Sequence, residues 1–86
     1  MRKIVVIDDD CHVVEGLKKF IKQSGLEVKY AGDAVDGRDA LNLIRFEKPD
    51  IILTDIMMPV MDGLEIIEEL KKEGYPGEII ILSGSV

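Results

Sequence analysis

Apolar residues along this chain follow two periods in turn. Residues 3–7, KIVVI, form a continuous β-branched run of the kind that fills a strand buried on both faces. Val13, Leu17, Phe20 and Ile21 then recur at helical spacing, and Ser24-Gly25 supplies a C-terminal stop. LEVKY (26–30) alternates as a half-buried strand does. After Gly32, either Asp33 or Asp36 can cap a second helix with Ala40, Leu41 and Ile44 inward. Pro49 ends that helix, because the residue before a proline disfavours helical geometry. DIILT (50–54) reads as the third strand. Asp62-Gly63-Leu64-Glu65 has the spacing of a capping box, with Asp in place of Ser or Thr, and opens a helix with Leu64, Ile67 and Leu70 inward. Gly74 and Pro76 close it, and EIIIL (78–82) is the fourth strand.

The order βαβαβαβ predicts an α/β fold, a parallel sheet with helices on its faces. Eighty-six residues make one small domain, and no repeat, low-complexity segment or linker divides it. With 47% hydrophobic residues the composition is that of a globular chain. No apolar run approaches the roughly 20 residues of a membrane span, and MRKIVVIDDD is not a signal peptide. The single cysteine, Cys11, excludes an internal disulfide and fits a reducing cytoplasm. Eleven basic residues against 17 acidic give a net charge of −6 without a Lys/Arg cluster, which argues against direct nucleic acid binding. The same acidity suits a cation or a basic partner surface.

The acids themselves are placed where chemistry collects. In open parallel sheets, sites form at the carboxyl ends of strands, at a topological switch point. The first strand ends in Asp8-Asp9-Asp10 and the third is followed directly by Asp55. In the flavodoxin-like order 2-1-3-4 these two strands are neighbours, about 4.8 Å apart. Their carboxylates would repel, and their pKa values rise, until a cation arrives. Carboxylate oxygens with positions left for water and a phosphoryl group describe a Mg²⁺ or Mn²⁺ site. Asp55 is then a candidate nucleophile toward phosphorus.

These residues resemble the receiver domain of two-component response regulators, and the resemblance runs through the whole chain. It is carried by IVVIDDD (4–10), GRDAL (37–41), PDIILTDIMMPVMDG (49–63) and IIILSGS (79–85). The resemblance implies that Asp55 is the phosphoacceptor, and that Asp8 and Asp9 hold the divalent metal together with Asp55 and the backbone carbonyl of Met57. It implies that Ser83 is the hydroxyl that senses the phosphoryl group, with Gly84 the small residue beside it. A histidine kinase or phosphotransfer domain is the implied donor. The chain reads as a partial receiver domain over 1–86, a (βα)3β fragment lacking the family's last strand and last two helices. The family's phosphate-pairing lysine therefore has no counterpart here, so phosphotransfer is expected to be impaired. The fourth strand becomes an exposed edge, for which a homodimer or higher oligomer is expected.

Blander roles are expected for the neighbouring residues. Asp10 caps the first helix, His12 is an exposed first-turn residue, and Cys11 beside the acids is unreactive. Met57, Met58 and Met61 pack the turn and core. Glu65, Glu68, Glu69, Lys71 and Lys72 form a solvated helix face with i,i+4 pairs. Two other readings remain. One is a receiver-derived association module without phosphotransfer. The other is a haloacid-dehalogenase-like phosphatase, with Asp8-x-Asp10 as its nucleophile motif and Ser83 as its second motif.

Overall fold

The structure is a computed structural model, and it describes residues 1–55 and 63–82. The elements run β1 (Arg2–Ile7), α1 (Cys11–Gln23), β2 (Val28–Ala34), α2 (Gly37–Glu47), β3 (Ile51–Asp55), α3 (Gly63–Lys72) and β4 (Glu78–Leu82). The four strands form one sheet in the order β2-β1-β3-β4, and every neighbouring pair is parallel. This is the flavodoxin-like arrangement expected from the alternation of strand and helix.

The structure explains why β1 is apolar without a break from Ile4 to Ile7. Val5 and Ile7 pack into a core with Ala40, Leu41 and Ile44 of α2 and Ile66 and Leu70 of α3. Ile4 and Val6 point the other way, against Val14 and Ile21 of α1. One strand thus supplies both layers, with α1 on one face and α2 and α3 on the other. Each such buried aliphatic side chain contributes about 1.5–3 kcal/mol of transfer free energy. Among the described residues no helix is long and apolar enough to cross a membrane.

Ala40, Leu41 and Ile44 of α2, Ile21 of α1 and Leu70 of α3 are buried as expected, while the rest of the α1 and α3 faces is displaced. In α1 the buried residues are Val14 and Ile21, while Val13 and Phe20 stay exposed, Phe20 at 66%. Both stripes have helical spacing, and the strand beneath selects the one centred on Val14. In α3 it is Ile66 and Leu70 that are buried, i and i+4, with Leu64 exposed and Ile67 only half-buried. The charged face of α3 carries a Glu69–Lys72 pair at 3.6 Å, spaced i,i+3. Asp36, not Asp33, caps α2, its Oδ1 accepting from the Asp39 N–H at 2.8 Å. Asp62, the expected cap of α3, lies outside the described residues.

β2 begins and ends later than LEVKY. It runs on through Ala31-Gly32-Asp33, a stretch of low strand propensity, because the register with β1 slips there: Ile4 faces Tyr30 and Val5 faces Gly32, leaving Ala31 as an extra residue. The extension is held where the Asp8 N–H donates to the Ala34 carbonyl at 3.1 Å. Pairing with β1 overrides local preference.

Candidate functional site

β1 and β3 lie side by side, with Val6 opposite Leu53 and Ile7 opposite Thr54, so both end at the same level of the sheet. The chain leaves β1 into Asp8-Asp9, and Asp55 is the last residue of β3. Carboxylate oxygens of Asp8, Asp9 and Asp55 come within 4.8 Å of one another. Two ligands on opposite sides of one Mg²⁺ stand about 4.2 Å apart, from Mg–O distances of 2.0–2.1 Å. The three oxygens thus lie at the scale of one ion's coordination shell. The donor set is all oxygen and all acidic, which fits a hard divalent cation.

The three carboxyl groups differ in their setting. Asp8 is buried, Asp55 half-buried and Asp9 exposed. The Asp8 Oδ1 accepts the Asp10 N–H at 2.9 Å, which fixes its orientation. Burial raises the Asp8 pKa above its ordinary value; that hydrogen bond works against the rise, and the charges of Asp55 and Asp9 add to it. Desolvation is the leading cause here, ahead of the carboxylate repulsion expected from the sequence.

Asp10, though adjacent, is turned to a different task. Its Oδ1 accepts the His12 N–H at 2.9 Å and its carbonyl accepts the Val14 N–H at 3.1 Å, so it caps α1. His12 and Cys11 are exposed in the first turn. Met57, Ser83 and Gly84 lie outside the described residues. Two supports for the site were not singled out from the sequence. Thr54, fully buried, donates from Oγ1 to the Asp55 carbonyl at 3.1 Å and ties down the backbone that carries the carboxylate. The Asp10 N–H does the same for Asp8. A D-x-D string at a strand end could have indicated the second, since an Asp side chain often accepts the N–H two residues on.

A cleft of about 480 Å³ lies at the opposite end of the sheet, between the carboxyl ends of α2 and α3, lined by Ile44, Lys48, Leu70 and Tyr75 among others. Arg45 and Glu73 on its wall already pair with each other.

Comparison with known proteins agrees with the geometry. The family model for the response regulator receiver domain matches residues 4–86. The response regulator MprA of Mycolicibacterium vanbaalenii is 40% identical over 81 residues, covering 94% of this chain. The chain spans about a third, 34%, of that curated relative's length. Among solved structures, the signal receiver domain of NarL from Mycobacterium tuberculosis superposes with a TM-score of 0.91 at 33% identity, covering 99% of this chain and 68% of that one. The response regulator domain of Thermotoga maritima CheB gives a TM-score of 0.83 at 31% identity, over 96% of this chain and 60% of that one. A 40%-identical relative, a family match over nearly every residue and the shared strand order lead to one conclusion: this chain belongs to the response regulator receiver domain family.

Proposed function

We propose that this chain accepts a phosphoryl group on Asp55, with Mg²⁺ or Mn²⁺ held by Asp8, Asp9, Asp55 and the Met57 carbonyl. The observation that carries this reading is the convergence of three carboxylates from two adjacent strand ends. A phosphohistidine of a histidine kinase or phosphotransfer domain, or a small acyl phosphate, is the donor. One Asp55 oxygen attacks phosphorus as the bond to the donor's nitrogen or oxygen breaks, leaving an acyl phosphate on Asp55. When bound, the metal supplies positive charge to the phosphoryl oxygens.

The chain's own residues do the remaining work. Thr54 and the β3 ladder hold Asp55 in place, and the Asp10 N–H fixes the orientation of Asp8. Ser83 reports the phosphoryl group by hydrogen-bonding one of its oxygens. Water attacking the acyl phosphate resets the site. With a net charge of −6, the reading gives this chain protein partners rather than nucleic acid. Association with a second copy forms part of it, through the edge of β4.

The test is intact mass after incubation with acetyl phosphate and Mg²⁺. One added phosphoryl group is expected, absent in Asp55→Asn. Labelling that survived in Asp55→Asn but vanished in Asp8→Asn would instead assign the nucleophile to Asp8, as in the phosphatase alternative.

A further inference from the structure

β2 departs from regular pairing at one point, and the departure brings two side chains together. Gly32 holds φ at +151°, a conformation that favours glycine, and the strand gains Ala31 as an extra residue beside β1. Residues three apart on a regular strand point to opposite faces. Here Tyr30 stands opposite Ile4 and Asp33 opposite Val6, and Ile4 and Val6 both face α1. The extra residue therefore puts Tyr30 and Asp33 on the same face, where the Tyr30 hydroxyl donates to Oδ2 of Asp33. Burial, then that hydrogen bond and the charges of Asp33 and Glu15, push the phenol's pKa upward, so it stays a donor.

Two routes lead from Tyr30 to Asp8. Along β2, Asp33 is followed by Ala34, whose carbonyl accepts the Asp8 N–H at 3.1 Å. Through α1, the Lys18 and Lys22 ammonium groups lie 5.6 and 5.7 Å from the centre of the Tyr30 ring, within reach of a cation–π contact. That helix starts from its cap Asp10, whose N–H donates to Oδ1 of Asp8 at 2.9 Å. The first route holds the Asp8 backbone and the second holds its carboxyl group.

We infer that Tyr30 is a positioning residue for Asp8: its hydroxyl sets the end of β2, its ring sets α1, and together they aim the Asp8 carboxylate. The inference rests on the reading of Asp8 as a metal ligand. Tyr30 is uncharged and stands outside the acid cluster, so its effect on a cation passes through Asp8. Tyr30→Phe isolates that effect. It keeps the ring beside Lys18 and Lys22, removes only the hydroxyl and changes no charge.

The experiment compares the full chain with Tyr30→Phe and Asp33→Asn, using Mg²⁺ titration and amide exchange followed by NMR. Tyr30→Phe should weaken Mg²⁺ binding about three- to tenfold, short of the roughly 10–100-fold typical when a direct partner of a metal ligand is lost. Without metal, its Asp8 amide should exchange about tenfold faster, beyond any change shared with the β3 amides that report global unfolding. Asp33→Asn keeps an oxygen for the hydroxyl and should leave the Asp8 amide at the parent rate. A merely structural role would speed the Asp8 and β3 amides by the same factor, and that result would overturn the inference. Unchanged exchange at Asp8 in Tyr30→Phe would overturn it as well. If the parent chain failed to bind Mg²⁺ while the Asp8 amide responded as expected, the metal reading would fall and the positioning of Asp8 by Tyr30 would stand.

Discussion

The two ends of the sheet are built on opposite electrostatic terms. At the amino ends of the strands, unlike charges meet: Arg2 lies 3.3 Å from Glu78, Lys3 is 3.4 Å from Glu47, and Arg45 is 2.6 Å from Glu73. Asp50 ties the strands together there. Its Oδ2 accepts the Lys3 N–H at 2.8 Å, its N–H donates to the Lys3 carbonyl and its carbonyl accepts from Glu78, both at 2.9 Å. At the carboxyl ends, Asp8, Asp9 and Asp55 gather like charges into one crevice. Exposed ion pairs are worth little singly, so the backbone bonds through Asp50 matter more to stability than the surface charges. One end is therefore closed with its own groups, and the other holds an electrostatic cost that a bound cation would relieve.

Breaking the closed end should have the largest effect. Gly77 sits where a Cβ would come 2.7 Å from the Asp50 carbonyl and overlap the Tyr75 hydroxyl. That carbonyl is bonded to the Glu78 N–H, and the hydroxyl donates to the Pro49 carbonyl at 2.9 Å, so neither can yield without losing a bond. Gly77→Ala should destabilise the fold by about 1–3 kcal/mol in urea unfolding, the usual range for overpacking. Tyr75→Phe should cost less, about 0.5–1.5 kcal/mol, since it removes one half-buried hydrogen bond and keeps the ring. Wild-type stability in Gly77→Ala would show that this end is looser than its contacts suggest.

At the open end the sign should reverse. The folded Asp8 carboxyl binds its proton more tightly than its ordinary value of 3.8, which stands for the unfolded chain. Between those two pKa values the folded state holds a proton that the unfolded state has lost. The contribution to stability is thus fully present below 3.8 and disappears as pH rises through the folded pKa. Above the folded pKa the ionised, buried Asp8 weighs against folding. Asp8→Asn keeps an oxygen for the Asp10 N–H and removes the charge, so in EDTA it should raise Tm. A gain of about 0.5 kcal/mol would appear as roughly 2–4 °C in a domain of this size. The gain should vanish in acid. A lowered Tm at neutral pH would place Asp8 among the stabilising charges after all.

The difference between the two ends also marks what could be read from the sequence. The acid end was legible, because its residues follow strand ends directly and only strand order is needed to bring them together. β4 was legible over its whole length from EIIIL between a Gly/Pro stop and a serine. The closed end was not, because its bonds join Lys3, Pro49, Asp50, Tyr75 and Glu78 from three separate segments of the chain that no local pattern links. Helical spacing admits Val13, Leu17, Phe20 and Ile21 as one face, but Val14-Leu17-Ile21 is spaced equally well, and the sheet chooses Val14 and Ile21 over Val13 and Phe20. In α3 the expected Leu70 does reach the core, but its partner there is Ile66, two residues after Leu64, which faces solvent.

The central claim, that the acid end is built to receive a divalent cation, is tested most directly by thermal unfolding of the chain and of Asp9→Asn across a Mg²⁺ titration. A ligand of the folded state alone stabilises by RT ln(1 + [L]/Kd), about 2.7 kcal/mol at a hundredfold excess over Kd. The account predicts that Tm of the unmodified chain climbs with Mg²⁺ along that curve and that Asp9→Asn stays flat. An equal rise in both proteins would contradict it.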